Sequence, residues 1–203
     1  MIFRASSVGK IMASADKNIL PVGAITEINE LCSQQLLDWR NELDIFTIQK
    51  GIQCENESIE LYNDLNDTFY IKNLERVTKG NLTGECDLLD VNKSLVIDIK
   101  TAYSKKTYPL FLKMSSLFEW QLRAYMYLYD VNHAELAYCL VNTPLDLIAK
   151  KDNPDWHNVD LVPMHLKVST LRIERDELKE QQLLNRIKLA SEYAEELIEG
   201  KNK

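Results

Sequence analysis

The segment Leu82-Thr83-Gly84-Glu85-Cys86-Asp87, followed after residues 88–97 by Asp98-Ile99-Lys100, constrains this chain more than any other feature. The run Leu95-Val96-Ile97-Asp98-Ile99-Lys100 is apolar enough for a buried strand, yet it ends in two charges. Asp98 and Lys100 are two positions apart, so on a strand they point to the same side. An unpaired buried charge is costly, so charges in such a place pair with each other or bind a metal. With Asp87 on the preceding arm of a β-hairpin, the pattern places two carboxylates and an ammonium together.

Around this hairpin the periodicity alternates between helical and extended. Ser6 or Ser7 is positioned to N-cap a short helix through Ile11 and Met12. Pro21 and Gly23 mark a break, after which Thr26 to Leu43 reads as a helix with Ile28, Leu31, Leu36 and Trp39 on its apolar positions. A second helix is expected from Phe46 to Leu65, with Ile48, Ile52, Ile59 and Tyr62 near helical spacing. Three strands follow: Phe69 to Leu74, Leu82 to Val91 and Ser94 to Lys100, the last two joined by the turn Asp90-Val91-Asn92-Lys93. Trp120 to Tyr129 is helical, Glu135 to Val141 and part of Leu166 to Ile173 are extended, and Glu177 to Glu199 closes the chain as a helix. In that helix Leu183, Ile187, Ala190, Ala194 and Leu197 form an apolar stripe suited to packing within the molecule. Helix, three-strand meander, helix, strand is an α/β order, with a mixed central β-sheet flanked by α-helices.

At 203 residues, 45% hydrophobic and 27% charged, the chain is expected to form one globular domain. Its core lies at about 44–147, with an N-terminal helical segment at 1–43 and a C-terminal strand and helix at 164–200. No apolar run reaches membrane-spanning length and the first residues lack a signal-peptide core, so a cytoplasmic location is expected. The four cysteines, Cys32, Cys54, Cys86 and Cys139, are scattered without a C-x-x-C pair, which points to reduced structural thiols rather than a zinc or iron–sulfur site. A net charge of −7 speaks against a nucleic-acid partner, whose binders carry a basic footprint. Part of the acidity falls in the last helix, and Lys100, Lys105, Lys106 and Lys113 can form a local basic patch.

The chemistry available to the hairpin follows from its donors. Asp87 and Asp98 with the Ile99 carbonyl are oxygen ligands of the kind that hold Mg²⁺ or Mn²⁺. Two carboxylates about 4 Å apart repel by about 4 kcal/mol at an effective dielectric of 20, which a divalent cation relieves. Such an ion lowers the pKa of a bound water, and Lys100 beside it can orient that water and offset charge in the transition state. The bland alternative is a surface salt bridge between Asp98 and Lys100.

The Asp, then Asp-x-Lys arrangement resembles the core of the PD-(D/E)XK nucleases, whose restriction-endonuclease-like fold has the element order read above. Lys50-Gly51-Ile52-Gln53-Cys54-Glu55-Asn56-Glu57 resembles the corresponding helix of lambda-type exonuclease and the YqaJ viral recombinase family, whose metal-facing glutamate falls on Glu55. Trp120-Gln121-Leu122-Arg123-Ala124-Tyr125 resembles the family's Q-x-x-x-Y helix, whose glutamine contacts the active site or the DNA backbone. Arg4-Ala5-Ser6-Ser7 resembles the segment that supplies a serine at a helix start, matched here by Ser7 and more weakly by Arg4. The cysteine at 86 replaces the family's common proline, and Glu85 before it is either a further ligand or simply exposed.

The resemblance implies a single nuclease domain that is a Mg²⁺- or Mn²⁺-dependent DNA exonuclease, 5′→3′ on linear duplex ends, of phage or prophage origin. It implies metal at Glu55, Asp87, Asp98 and the Ile99 carbonyl, catalysis by these carboxylates with Lys100, and DNA contacts from Ser7, Arg4, Gln121, Tyr125 and Thr101. Some family members form ring-shaped trimers and hand their product to a single-strand annealing protein. Two alternatives stay open on the residues: a structure-specific endonuclease of the same fold, and a non-catalytic acidic binding module.

Overall fold

In a computed structural model, residues 1–39 and 46–201 are described. The fold is built around β5 (Leu95–Thr101), whose first five residues are buried. It sits inside a four-stranded mixed sheet in the order β4-β5-β6-β7, with β4 at Leu88–Asp90, β6 at His133–Cys139 and β7 at Val168–Glu174. The β4–β5 and β6–β7 pairs are antiparallel, whereas β5–β6 is parallel and connected through α5 (Ser116–Tyr129). A parallel pair needs such a crossover, and α5 covers one sheet face. The other face carries α4 (Glu55–Asn66), whose Ile59, Leu61 and Tyr62 pack with Leu95, Ile97 and Ile99. Alternation along β5 therefore sends Leu95, Ile97 and Ile99 to α4 and Val96 to the core beside α5.

A second sheet was not expected from the sequence. It has the order β1-β3-β2, with β1 at Phe3–Arg4, β2 at Val77–Lys79 and β3 at Leu82–Gly84. The anticipated strand 82–91 is thus divided: it leaves the small sheet at Gly84 and enters the large one at Leu88, and the break carries Glu85, Cys86 and Asp87. Gly84 allows β3 to approach its neighbours, since a Cβ there would come within 2.8 Å of Leu128 and 2.9 Å of Ala5.

Four further expectations are corrected. The segment 69–74 is no strand: Phe69, Ile71 and Leu74 point to solvent, while Asn63 bonds both main-chain groups of Tyr70 and Asn73 N–H donates to Asp87 O. The helix expected at 46–65 is two, α3 (Phe46–Gln53) and α4, separated at Cys54. At the N-terminus the short helix α1 (Ala5–Val8) begins before either serine. Arg4 is its N-cap, no side chain caps it, and Ser7 Oγ donates to the Arg4 carbonyl at 3.3 Å. The helix expected at 26–43 runs Val22–Leu36 (α2), its buried positions being Ala24, Ile28 and Cys32; the proposed extension over 40–43 lies outside the described residues. Leu36 and Trp39 are exposed.

The closing helix α6 (Glu177–Lys201) buries Leu183, Ile187, Ala190 and Ala194 against α2 and α5, so its stripe is intramolecular. On the same side, fully buried Arg186 collects four main-chain carbonyls, of Ile11 (2.6 Å), Ala13 (2.9 Å), Ser14 (2.8 Å) and Lys17 (3.3 Å). Lys50 does the same on α3, donating to the carbonyls of Ala102 (2.8 Å), Tyr103 (3.2 Å) and Val141 (2.8 Å) at the ends of β5 and β6. Burial pulls the Lys50 pKa down to about 8, and its three carbonyl acceptors favour the charged form. All four cysteines are free and buried. Among the described residues no helix is long and apolar enough to cross a membrane.

Buried carbonyls left without a donor cost about 1–3 kcal/mol each. Arg186→Met should therefore lower stability by about 3 kcal/mol or more, a fall in melting temperature of about 6–12 °C by calorimetry for a domain of this size. A melting temperature within 2 °C of wild type would contradict the clamp.

Candidate active site

Asp98 lies on the inner strand and is 2% exposed. Its Oδ2 is 2.6 Å from Lys100 Nζ, as the two-residue spacing implies, and its Oδ1 accepts from Gln121 Nε2 at 2.8 Å. Asp87 comes from the break between the two sheets. Its Oδ2 accepts from the Ile99 main-chain N–H at 2.7 Å, which fixes it beside β5. Burial, then the Asp98 charge, push the Asp87 carboxyl well above the usual carboxylate range, against the opposing pull of Lys100. Burial pulls down on the Lys100 ammonium, but Asp98 and Asp87 outweigh it and hold the pKa above the ordinary lysine value. The cluster is thus two close carboxylates sharing one cation.

Glu55, at the start of α4, is held elsewhere: its Oε2 pairs with Lys72 Nζ. Among the described residues no three His, Cys, Asp or Glu side chains stand close enough to hold a metal ion. The donor chemistry nonetheless suits a hard divalent cation. Asp98 Oδ2 is buried with the Lys100 ammonium against it, Asp87 is pushed towards its neutral form by burial and by Asp98, and both are oxygen ligands. Glu55 would join them by leaving Lys72.

A cleft of about 470 Å³ opens beside this cluster, between α3 and the end of β5. Its walls include Ile48, Ile52 and Glu55 on one side and Lys100, Thr101 and Tyr103 on the other. Ile48 and Ile52, apolar positions of the expected helix, line this cleft rather than the core. Thr101 is part of the wall, its hydroxyl 2.8 Å from that of buried Ser58. Lys105 and Lys106 are exposed on the loop that follows.

Of the two contacts the resemblance implies for Gln121, the structure shows the one to Asp98, and burial argues against a direct DNA contact from Gln121 or Tyr125. Each is 4% exposed, so neither can meet a DNA backbone from solvent. Gln121 Nε2 instead joins Asp98 to Tyr125, whose hydroxyl it meets at 3.2 Å. Glu85 makes an ion pair with Arg76 at 3.0 Å. Arg4 is exposed and Ser7 half-buried at the start of α1, and neither lines the cleft.

Sequence reasoning missed the residues that hold Asp87 in place. Asn73 donates to the Cys86 carbonyl at 3.0 Å and to Tyr129 Oη at 3.2 Å, and Cys86 N–H donates to Tyr129 Oη at 3.3 Å. Tyr129 continues the four-residue spacing of Gln121 and Tyr125, which is a legible signal; Asn73 and Lys72 carry none.

A search of solved structures finds this fold in known proteins. A phage-related exonuclease from Haemophilus somnus 129PT superposes with a TM-score of 0.91 and 26% identity, covering 99% of this chain and 96% of that one. The chain has the fold of the phage-type exonucleases. The alkaline exonuclease of Laribacter hongkongensis shares that fold at a TM-score of 0.73 and 15% identity, covering 99% and 91% of the two chains. A structure of that enzyme in complex with dAMP matches at 0.71 with 17% identity, over 98% and 90% of the chains. No protein-family model matches the sequence, and a search of curated proteins returns no match. The exonuclease fold bears out the α/β reading and the nuclease resemblance drawn from the motifs.

The charge balance of the cluster is open to test without any assay of activity. Removing Lys100 leaves buried Asp98 and half-buried Asp87 uncompensated, which costs up to about 3 kcal/mol. In EDTA, Lys100→Met should melt well below wild type, while Asp98→Asn, which removes the repulsion, should melt within a few degrees of it. Equal losses in the two variants would show that the cluster is not electrostatically coupled.

Proposed function

We propose that this protein is a metal-dependent DNA exonuclease that degrades linear duplex DNA from its 5′ ends, in the manner of phage recombination nucleases. The observation that carries the reading is the Asp87–Asp98–Lys100 cluster, with Asp98 buried and the other two half-buried, beside an open cleft in a chain with the fold of a phage-related exonuclease. Asp87, Asp98 and the Ile99 carbonyl are the proposed ligands of Mg²⁺ or Mn²⁺, with Glu55 completing the set once released from Lys72. When bound, the ion would lower the pKa of a water and neutralise charge on the scissile phosphate.

The remaining roles fall to the chain's own groups. Lys100 orients the attacking water and offsets negative charge developing on the phosphoryl oxygens. Gln121 fixes one oxygen of Asp98 so that the other faces the reaction, with Tyr125 behind it. Lys105 and Lys106 supply positive charge for the phosphate backbone where the net charge of −7 would otherwise repel it. The acids of α6, among them Glu192, Glu195 and Glu196, are exposed on a helix that does not line the cleft, so they do not cancel this local field. Thr101, Ser7 and Arg4 are proposed as further DNA contacts. A single-strand annealing protein is the proposed partner, loading on the strand that digestion exposes.

Digestion of 5′-phosphorylated linear duplex and closed circular DNA tests the proposal. Wild type with Mg²⁺ or Mn²⁺ should degrade the linear substrate only and be silent in EDTA, and Lys100→Ala should lose at least 100-fold in rate, about 2.7 kcal/mol of transition-state stabilisation. Cutting of the circle would identify an endonuclease. Wild-type rates in Lys100→Ala would remove that residue from the chemistry.

A further inference from the structure

Gly51 has no structural reason to be a glycine. It lies within α3, where glycine weakens a helix relative to alanine. Its backbone is not in the left-handed region; among the described glycines only Gly80 is, at φ +57°. A Cβ built on it would meet no atom of the described residues within 4 Å, so no neighbouring element among them packs too closely to admit a side chain. Gly23 and Gly200 are helical glycines just as open, but neither lines the cleft beside Lys100, whereas Gly51 does.

The empty space over Gly51 belongs to the cleft that also holds Glu55 and Lys100. Its volume, about 470 Å³, is within the range of small-molecule sites. Tyr103, another wall, is held from three sides. Its carbonyl accepts from Lys50 Nζ (3.2 Å) and Thr143 Oγ1 (2.8 Å). Its hydroxyl donates to Leu147 O at 2.9 Å and accepts from Ala149 N–H at 3.1 Å. The ring of buried His157 packs against its own at a centroid distance of 4.9 Å. A tyrosine fixed in this way is a rigid surface on which a flat ring can rest without ordering cost.

We propose that the gap over Gly51 receives the terminal nucleotide of the DNA, with Tyr103 as a second wall, and that Gly51 sets the size of group the cleft admits. The proposal rests on the DNA-nuclease reading and adds to it a residue that touches the sugar or base rather than the phosphate. It explains why a helix beside the candidate site retains a destabilising residue. Any side chain at 51 would occupy substrate space before it touched protein.

The test is a series, Gly51→Ala, Gly51→Val and Gly51→Leu, with Gly23→Leu as control, because Gly23 lies on α2 outside the cleft and its Cβ would also meet nothing within 4 Å. Melting temperature, kcat and KM on linear duplex, and the melting shift caused by millimolar deoxyadenosine monophosphate with Mg²⁺ are measured for each. The expected result is a melting temperature at or above wild type for Gly51→Ala, KM rising with side-chain size by at least threefold at alanine, and a loss near 100-fold in kcat/KM at leucine. The nucleotide-induced shift should shrink in the same order, and Gly23→Leu should behave as wild type. Should leucine disturb the helix, the folded alanine variant decides alone. Wild-type KM and wild-type nucleotide shift in the folded variants would overturn the proposal while leaving the nuclease reading in place. If wild type cuts no DNA, that reading falls. The slot then stands if the nucleotide stabilises wild type but not Gly51→Leu, and is overturned if wild type shows no shift.

Discussion

Two carboxylates and one ammonium meet around a buried aspartate, Asp98, and much of the surrounding structure answers to that fact. Asp98 sits on the innermost strand, where an uncompensated charge is most costly. Lys100 supplies the nearest positive charge, Gln121 reaches across from α5 to bind one Asp98 oxygen, and the Ile99 N–H binds Asp87. Together they leave one ammonium to balance two carboxylates, and Asp87 is pushed well above the usual carboxylate range. Such a balance is expensive to keep in a purely structural core, and it is the kind that a divalent cation relieves. A carboxyl perturbed as Asp87 is, in a charged cluster beside a cleft, is the kind of group that functional sites contain.

Outside the cluster, the architecture is tied down by two buried cations acting on main-chain carbonyls. Lys50 gathers the carbonyls where β5 and β6 leave the sheet, and so positions α3 over the cleft. Arg186 gathers the turns that follow α1 and binds them to α6. Both are charge-to-dipole contacts, which need no acidic partner in the interior. That is compatible with an acidic surface on α6 and positive charge retained near the site.

The strand carrying Asp98 and Lys100 was legible because alternation and an apolar run specify both its burial and the common side of its charges. The helix with Gln121 and Tyr125 was legible as well, by its four-residue spacing, but its depth was not. Periodicity says which residues share a face, and only packing says how far that face is from water. The same ambiguity produced the wrong strand at 69–74. Its apolar residues do alternate, yet Phe69 and Ile71 face solvent while Tyr70 and Lys72 make the inward polar contacts. Asn73, Lys72, Lys50 and Arg186 left no trace in the sequence because each gains its role from a partner far along the chain. The break at Cys54 likewise depends on how α3 and α4 fit the sheet, and no proline or glycine marks it.

The central claim is that the Asp87–Asp98 pair is a cation site. Calorimetric titration of Mn²⁺ into wild type and into Asp98→Asn, near neutral pH and without DNA, addresses it most directly. The account predicts saturable binding to wild type and at least a tenfold weaker affinity in the variant. Absence of binding to wild type, or equal affinity in both, would contradict it.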